Sequence, residues 1–504
     1  MLKLGSIKSA LDEEEKQVIK VKQKKMDEEQ FFERRKAVLS LWHTGKEVDL
    51  EEAVAYQKSM PENKNFCKVI QKLKKEGKSV VFPRAGTPLV EDEIELVRAL
   101  YDAGVPLLPC TTDSYTRHLQ FEKVEQALEE SIKSGRPKLN GFPIINHGVK
   151  NTRRVVESCG AAFNPRTSRL SNSLVGEIAF ASGMTAQPCS FFPWFGSYDK
   201  TATLEECIDT AQYLARLMGW YAEQGVILTS DLHGWLPNGV FPISINVATM
   251  IIEGLVVAEQ GVKSVLPLVE CQGHLAQDIA AIRVTPQLLR RYLDRFGYQD
   301  VIIPGTAAQQ VPLYAFPRDL GGAFGYVTYT CFVGALGKAE VVSPRSIDEG
   351  IGVPTKEAHV DTYRAANWIL NVVRTQNIEF DNEEIQTESK ILEAEVTAIL
   401  EAVLNLGGGD IVVGAIKAVD AGVLDSPFPL NIHARDQVLG VRDSQGACRY
   451  VEFGNLPIPE EIKDFHREKV TAREKAEGRK MDYYVAIDDF WAISKGALVG
   501  TPRQ

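Results

Sequence analysis

Several arginines in this chain stand at the ends of short apolar runs. Residues 80–90 read VVFPRAGTPLV, which puts Arg84 behind a β-branched stretch. Arg166 follows in AAFNPRT (161–167), Arg345 closes AEVVSPR (339–345), and Arg117 lies in DSYTR just behind VPLLPCT (105–111). A guanidinium stays charged in a protein, so an arginine at the mouth of a core needs a partner. A single one commonly pairs with a loop carboxylate. Several pointing into one mouth would repel each other and favour a bound dianion, because each can fork two bonds to a carboxylate or phosphate. Other run ends carry Asn140, Asp231, His233 and Glu270.

Competing chemistries are weakly represented. LGGGDIVVG (406–414) imitates a phosphate loop but lacks Lys-Ser/Thr and follows a helical pattern. KDFHREK carries Asp464 and His466, and its charge predicts a solvated helix. There is no GxSxG or HExxH, and no Cys/His cluster with zinc spacing. None of the apolar runs ends in the lysine that a Schiff-base aldolase would need. An anion clamp without its own base or metal points to a cofactor supplied from outside.

The elements that must position these residues follow a rhythm. The runs SVVFPRA (79–85), VPLLPCT, LNGFPIINH (139–147), AAFNPRT, GVILTSD (225–231), SVLPLVE (264–270), DVIIPGT (300–306) and AEVVSPR alternate with stretches of helical spacing. Such buried strands in βα repeats predict a TIM (β/α)8 barrel, whose active site gathers at the C-terminal strand ends. MTAQPCSFF (184–192) is a ninth candidate, so one of the nine is an extra element. A doubly wound open sheet is the alternative. The rhythm predicts an N-terminal helical extension over 1–75, the barrel over 76–380 and a C-terminal α+β domain over 381–504. Within the extension, the mixed charges of residues 12–36 predict a solvated helix. Within the last part, NEEIQTESKILEAEVTAILEAVLNLGGGD predicts a long amphipathic helix ending at glycines.

Composition bounds the function classes. The chain has 504 residues, 44% apolar and 25% charged, with a net charge of −10, which argues against broad nucleic-acid or anionic-membrane binding. Its eight scattered cysteines predict reduced thiols and a cytoplasmic location. No stretch reads as a membrane span.

The chain resembles the large (epsilon) subunit of glutamate mutase, also called methylaspartate mutase. The stretches LSLWHTGKEVDLEEAVAY, PRAG, DSYTR, LNGFP, GVK, YAEQGV, AEQGVK, QDIAAIR, IGVPTKEA, GGGDIVVGAIKA, VRD, RYVEFGN and EGR carry the resemblance in order along nearly the whole chain. It implies a TIM barrel binding adenosylcobalamin against a small subunit whose DxHxxG histidine ligates cobalt. Two large and two small subunits would assemble. This chain would supply no cobalt ligand: DLHGWL begins like the motif but ends in Leu236. A deoxyadenosyl radical would then abstract hydrogen from L-glutamate, whose skeleton rearranges to (2S,3S)-3-methylaspartate. The resemblance assigns the two substrate carboxylates to Arg84, Arg117 and Arg166, a substrate contact to Tyr198, and the adenosyl group to Asn140 and Glu349.

The departures from the family pattern fall in the same pocket. A glutamate that meets the substrate ammonium is Pro188 here, a tyrosine is Trp194, a phenylalanine is His233, and a lysine near the adenosyl ribose is Arg345. No Asp or Glu stands between Glu177 and Asp199. Three readings stay open: Asp231 or His233 replaces the missing carboxylate, the substrate is a different dicarboxylic acid, or the chain is a non-catalytic homologue.

Overall fold

The computed structural model describes residues 19–501 apart from 168, 170, 171, 237 and 311–314. Its centre is parallel: β1 (Val80–Val81), β2 (Leu107–Pro109), β3 (Ala162–Asn164), β4 (Thr229–Leu232), β5 (Ser264–Cys271), β6 (Ala307–Gln310) and β7 (Val341–Ser343). Five of these form one sheet in the order β1-β7-β6-β5-β4, and β2 pairs with β3. Register is set by pairs such as Val81 with Val342, Leu268 with Ala307, and Leu107 with Ala162.

Two connections join these groups. Residues 185–187 bridge β3 and β4: Thr185 N–H donates to Phe163 at 3.1 Å, and Thr229 N–H donates to Thr185 at 3.0 Å. Thr111 N–H donates to Ala85 at 3.0 Å, tying the end of β2 to that of β1. Side chains from β2, β3, β5, β6 and β7, with Phe82 and Ala186, meet in one apolar cluster. Phe66 and Ile70 of the helix Phe66–Glu76 join it. Both strand faces are therefore buried, which explains the unbroken apolar runs of the sequence.

Three of the nine predicted runs behave differently. MTAQP supplies the bridging segment, whereas LNGFPIINH is a loop followed by the helix Ile144–Glu157. Pro143 has no N–H to give a ladder. Gly141 crosses so near Thr111 that a Cβ there would lie 2.3 Å from its carbonyl oxygen. In DVIIPGT only Ile302 bridges, to Ser264. Past Pro304 and Gly305 the strand resumes as β6, later than the sequence suggests.

The outer parts bring further corrections. Of the charged stretch 12–36, residues 12–18 lie outside the described residues, and helix starts only at Glu28. Asp27 sets that start by accepting from Gln30 N–H. The residues before it form an extended strap: Lys20 and Val21 N–H donate to Glu205, Gln23 N–H to Asp410, and Met26 N–H to Gln260. His466 is not solvated. It sits with Val470 and Arg473 on the buried stripe of the helix Glu460–Glu477, and its Nε2 lies 2.7 Å from Glu395. The glycines of LGGGDIVVG make a turn between the helices Glu383–Gly407 and Ile411–Asp420, with Asp410 capping the second. RYVEFGN falls on β9 (Cys448–Phe453), antiparallel to β8 (Val438–Arg442).

One helix, Leu320–Gly337, is long and apolar enough to cross a bilayer, contrary to the sequence reading. It packs on its neighbours with Val327, Cys331, Val333 and Leu336 buried, as a core helix does. All eight cysteines are free and seven of them are buried.

Candidate functional site

Three strands deliver three arginines to one place. Arg84 follows β1. Arg117 ends the short helix Ser114–Arg117, whose start is fixed by Asp113 accepting from Thr116 N–H at 3.0 Å. Arg166 follows β3 at φ 36°, a left-handed conformation that costs a non-glycine residue energy. Its N–H donates to Asn164 Oδ1 at 2.8 Å, which holds the turn. Arg84, Arg117 and Arg166 line a single cavity with Thr111, Thr167, Pro188, Pro193, Tyr198, His233 and Leu236. The cavity is partly open to solvent. Tyr198 reaches it from a π-helical turn, Trp194–Tyr198.

The guanidiniums have few partners of their own. Gln309 Oε1 accepts from Arg84 Nη2 at 2.6 Å and from Arg166 Nη2 at 2.9 Å. Gln309 Nε2 donates to Glu270 Oε1 at 2.7 Å. Arg166 also donates to Ser343 Oγ at 3.3 Å and lies over the Phe82 ring. Among the described residues Arg117 hydrogen-bonds by its side chain only to Thr112 Oγ1, at 3.3 Å. Burial pushes Arg166 down to about 9, and the nearby Arg84 and Arg345 push in the same direction. Burial likewise lowers Arg117. Three cations held together with no carboxylate on the described cavity wall form an arrangement that can take an anion.

Gln309 was not foreseen. The sequence reading ended its strand at Thr306, so the paired glutamines of GTAAQQ fell outside it. Polar residues closing a buried strand were the available signal. Gln310 acts beside it, accepting from Arg345 N–H at 2.8 Å.

The other expected residues take varied places. His233 lines the cavity; burial, then Arg166 and Arg84, hold its imidazole well below the usual range, so it is neutral. Its N–H donates to Ser190 and Glu253. Asp231 lies inside β4 and not on the cavity wall, because the strand runs on to Leu232. Its Oδ2 accepts from Asn164 Nδ2 at 2.7 Å, and burial raises it to about 6 against the pull of Arg166. Glu270, behind Gln309, is raised to about 8 by burial despite Arg84, Arg345 and Arg166. Trp194 is also off the wall: it is packed in the core, with Nε1 donating to Asp199 at 3.4 Å. Asn140 is exposed, and its Oδ1 accepts from Ser114 N–H at the start of the helix bearing Arg117.

Arg345 and Glu349 pair at 3.3 Å. Burial lowers Arg345 to about 10, with Arg84 adding to the fall and Glu349 opposing it. Arg345 Nε and Nη2 are buried and have no hydrogen-bond partner among the described residues, while the Glu349 side chain is 28% exposed. Unpaired donors beside a half-open carboxylate suit a polar ligand with hydroxyls, such as a ribose. Among the described residues no cluster of His, Cys, Asp or Glu could hold a metal ion.

The sequence matches the model of one protein family, the methylaspartate mutase E chain, over residues 60–502. It is 40% identical to the glutamate mutase epsilon subunit of Desulfitobacterium hafniense, covering 95% of this chain and 99% of that one. The corresponding subunit of Treponema denticola is 37% identical over 96% of this chain and 99% of its own. That of Yersinia enterocolitica is 36% identical over 96% of this chain and its full length.

Proposed function

This chain belongs to the methylaspartate mutase E chain family, and we propose that it is the large, substrate-binding subunit of an adenosylcobalamin-dependent mutase that rearranges the carbon skeleton of a dicarboxylic acid. The relatives are named for glutamate, so the reaction type is interconversion of a linear and a methyl-branched diacid. The observation that carries the reading is the meeting of Arg84, Arg117 and Arg166 on one cavity whose described wall has no acid. In it the arginines take the two carboxylates. Gln309 fixes two of the guanidiniums before substrate arrives, which reduces reorganisation on binding. Pro188, Pro193 and Leu236 keep that part of the wall dry, where a reactive carbon centre must be shielded from water.

The strands are read as a (β/α)8 barrel over 76–380, with 185–187 serving as its fourth strand. An N-terminal extension (1–75), with helices from Glu28 onward, precedes it and an α+β domain (381–504) follows. The bonds from Thr185 to β3 and β4, and from Thr111 to Ala85, support closure. The cavity then lies at the C-terminal strand ends, where barrel sites form.

Adenosylcobalamin, when bound, supplies the carbon-radical chemistry that the protein's own groups lack. Asn140, Arg345 and Glu349 would hold its adenosyl end, and the cobalt ligand would come from a small subunit with a DxHxxG motif. Two copies of each subunit would form the enzyme in the cytoplasm. The test is gel filtration of the full chain with adenosylcobalamin, alone and with such a small subunit. The chain alone should elute nearly free of cobalamin, and the mixture should co-elute with it. Stoichiometric cobalamin on the isolated chain, with a histidine of this chain on cobalt, would contradict the assignment.

A further inference from the structure

We propose that the cavity selects a dicarboxylate whose carbon skeleton carries no ammonium group. The inference rests on the reading of the cavity as a dicarboxylate site and narrows its substrate class. The balance of charge is the first argument. Three guanidiniums and no carboxylate face the cavity among the described residues. The undescribed residues in the interior of the sequence, 168, 170, 171, 237 and 311–314, are Ser, Leu, Ser, Pro, Val, Pro, Leu and Tyr, none of them acidic. A dicarboxylate brings two negative charges to three positive ones. An α-ammonium would add a fourth cation with no carboxylate on the wall to pair it, and an unpaired charge beside three others is disfavoured.

The nearby acids are engaged elsewhere. Glu349 pairs with Arg345. Asp199 accepts from Thr201 and Ala202 N–H. Asp113 caps the helix that carries Arg117. Asp231 and Glu270 each keep one oxygen without a partner, but both stand off the cavity wall. Asp231 is turned to Asn164 by its other oxygen, and burial raises Glu270 to about 8, towards its neutral form, which is a poor partner for an ammonium.

The wall itself is the third argument. Pro188 faces the cavity with neither charge nor N–H, next to Pro193 and Leu236. The remaining polar side chains are neutral: Thr111, Thr167, Tyr198 and His233. They can bond a hydroxyl or an oxo group at the α carbon, or leave it bare. The class is therefore glutarate and its 2-hydroxy or 2-oxo relatives.

The experiment is calorimetric titration of the full-length chain at neutral pH with glutarate, 2-hydroxyglutarate and L-glutamate, repeated on Arg117→Met. Glutarate or 2-hydroxyglutarate should bind at least tenfold more tightly than L-glutamate, and Arg117→Met should weaken all three. L-Glutamate binding as tightly as the others or better would overturn the inference while leaving the dicarboxylate site intact. If Asp231→Asn then removed that L-glutamate binding, Asp231 would be the ammonium partner. No binding by any of the three, or binding indifferent to Arg117→Met, would overturn the dicarboxylate site itself and this inference with it.

Discussion

Arg166→Met should cost dicarboxylate binding about a hundredfold or more and leave the folded chain at least as stable as before. The two halves have one cause. Arg166 is 6% exposed, and burial together with Arg84 and Arg345 weakens its hold on its proton. Among the described residues its guanidinium hydrogen-bonds only to Gln309 and Ser343, both neutral. Burial and the neighbouring cations outweigh the pull of Asp231 and Glu270, so the guanidinium burdens the fold until an anion arrives. Removing one partner of such a pair typically costs 2–5 kcal/mol of binding, and every 1.4 kcal/mol is a factor of ten. Methionine fills much of the volume above Phe82 without the charge. Titration with glutarate and a thermal melt give both quantities. A melt many degrees lower with binding intact would mean that Arg166 holds the structure together and does not clamp a ligand.

Pro188→Glu should reverse the cavity's preference. A carboxylate there would face the space beside Arg84, Arg117 and Arg166, and a charged hydrogen bond to an ammonium contributes roughly 1.5–3 kcal/mol. L-Glutamate should then gain about tenfold or more. Glutarate should lose affinity in the same variant, since the new carboxylate competes for the arginines. The ratio of the two affinities is the sharper readout, because damage to the fold would lower both. Competition titration with the two ligands measures it. An unchanged ratio would show that this position does not meet the α carbon.

Much of this arrangement could be read from residue order. A proline-arginine pair behind a β-branched run marks a strand end, because proline ends the ladder and arginine cannot stay buried alone. That logic pointed to Arg84 and Arg166, and the structure puts both on one cavity with Arg117. It failed where a strand boundary moved by a few residues. Asp231 was expected past a strand and lies within it, so its carboxylate meets Asn164. Gln309 was hidden by the reverse error, a strand that resumes after Pro304-Gly305. LNGFPIINH has strand-like composition, but Gly141 and Pro143 give it to a loop that passes close to Thr111. His466 was misplaced because the charges around it cover only the outer face of its helix. The inner face, with Glu395 as partner, depends on a residue far away in sequence.

The most direct measurement is a crystal structure of the full chain with glutarate. Both carboxylates should lie among the guanidiniums of Arg84, Arg117 and Arg166, with Gln309 still bonded to two of them and Pro188 against the methylene chain. Glutarate bound elsewhere, or a cavity whose arginines have turned to protein carboxylates with no ligand between them, would contradict the account.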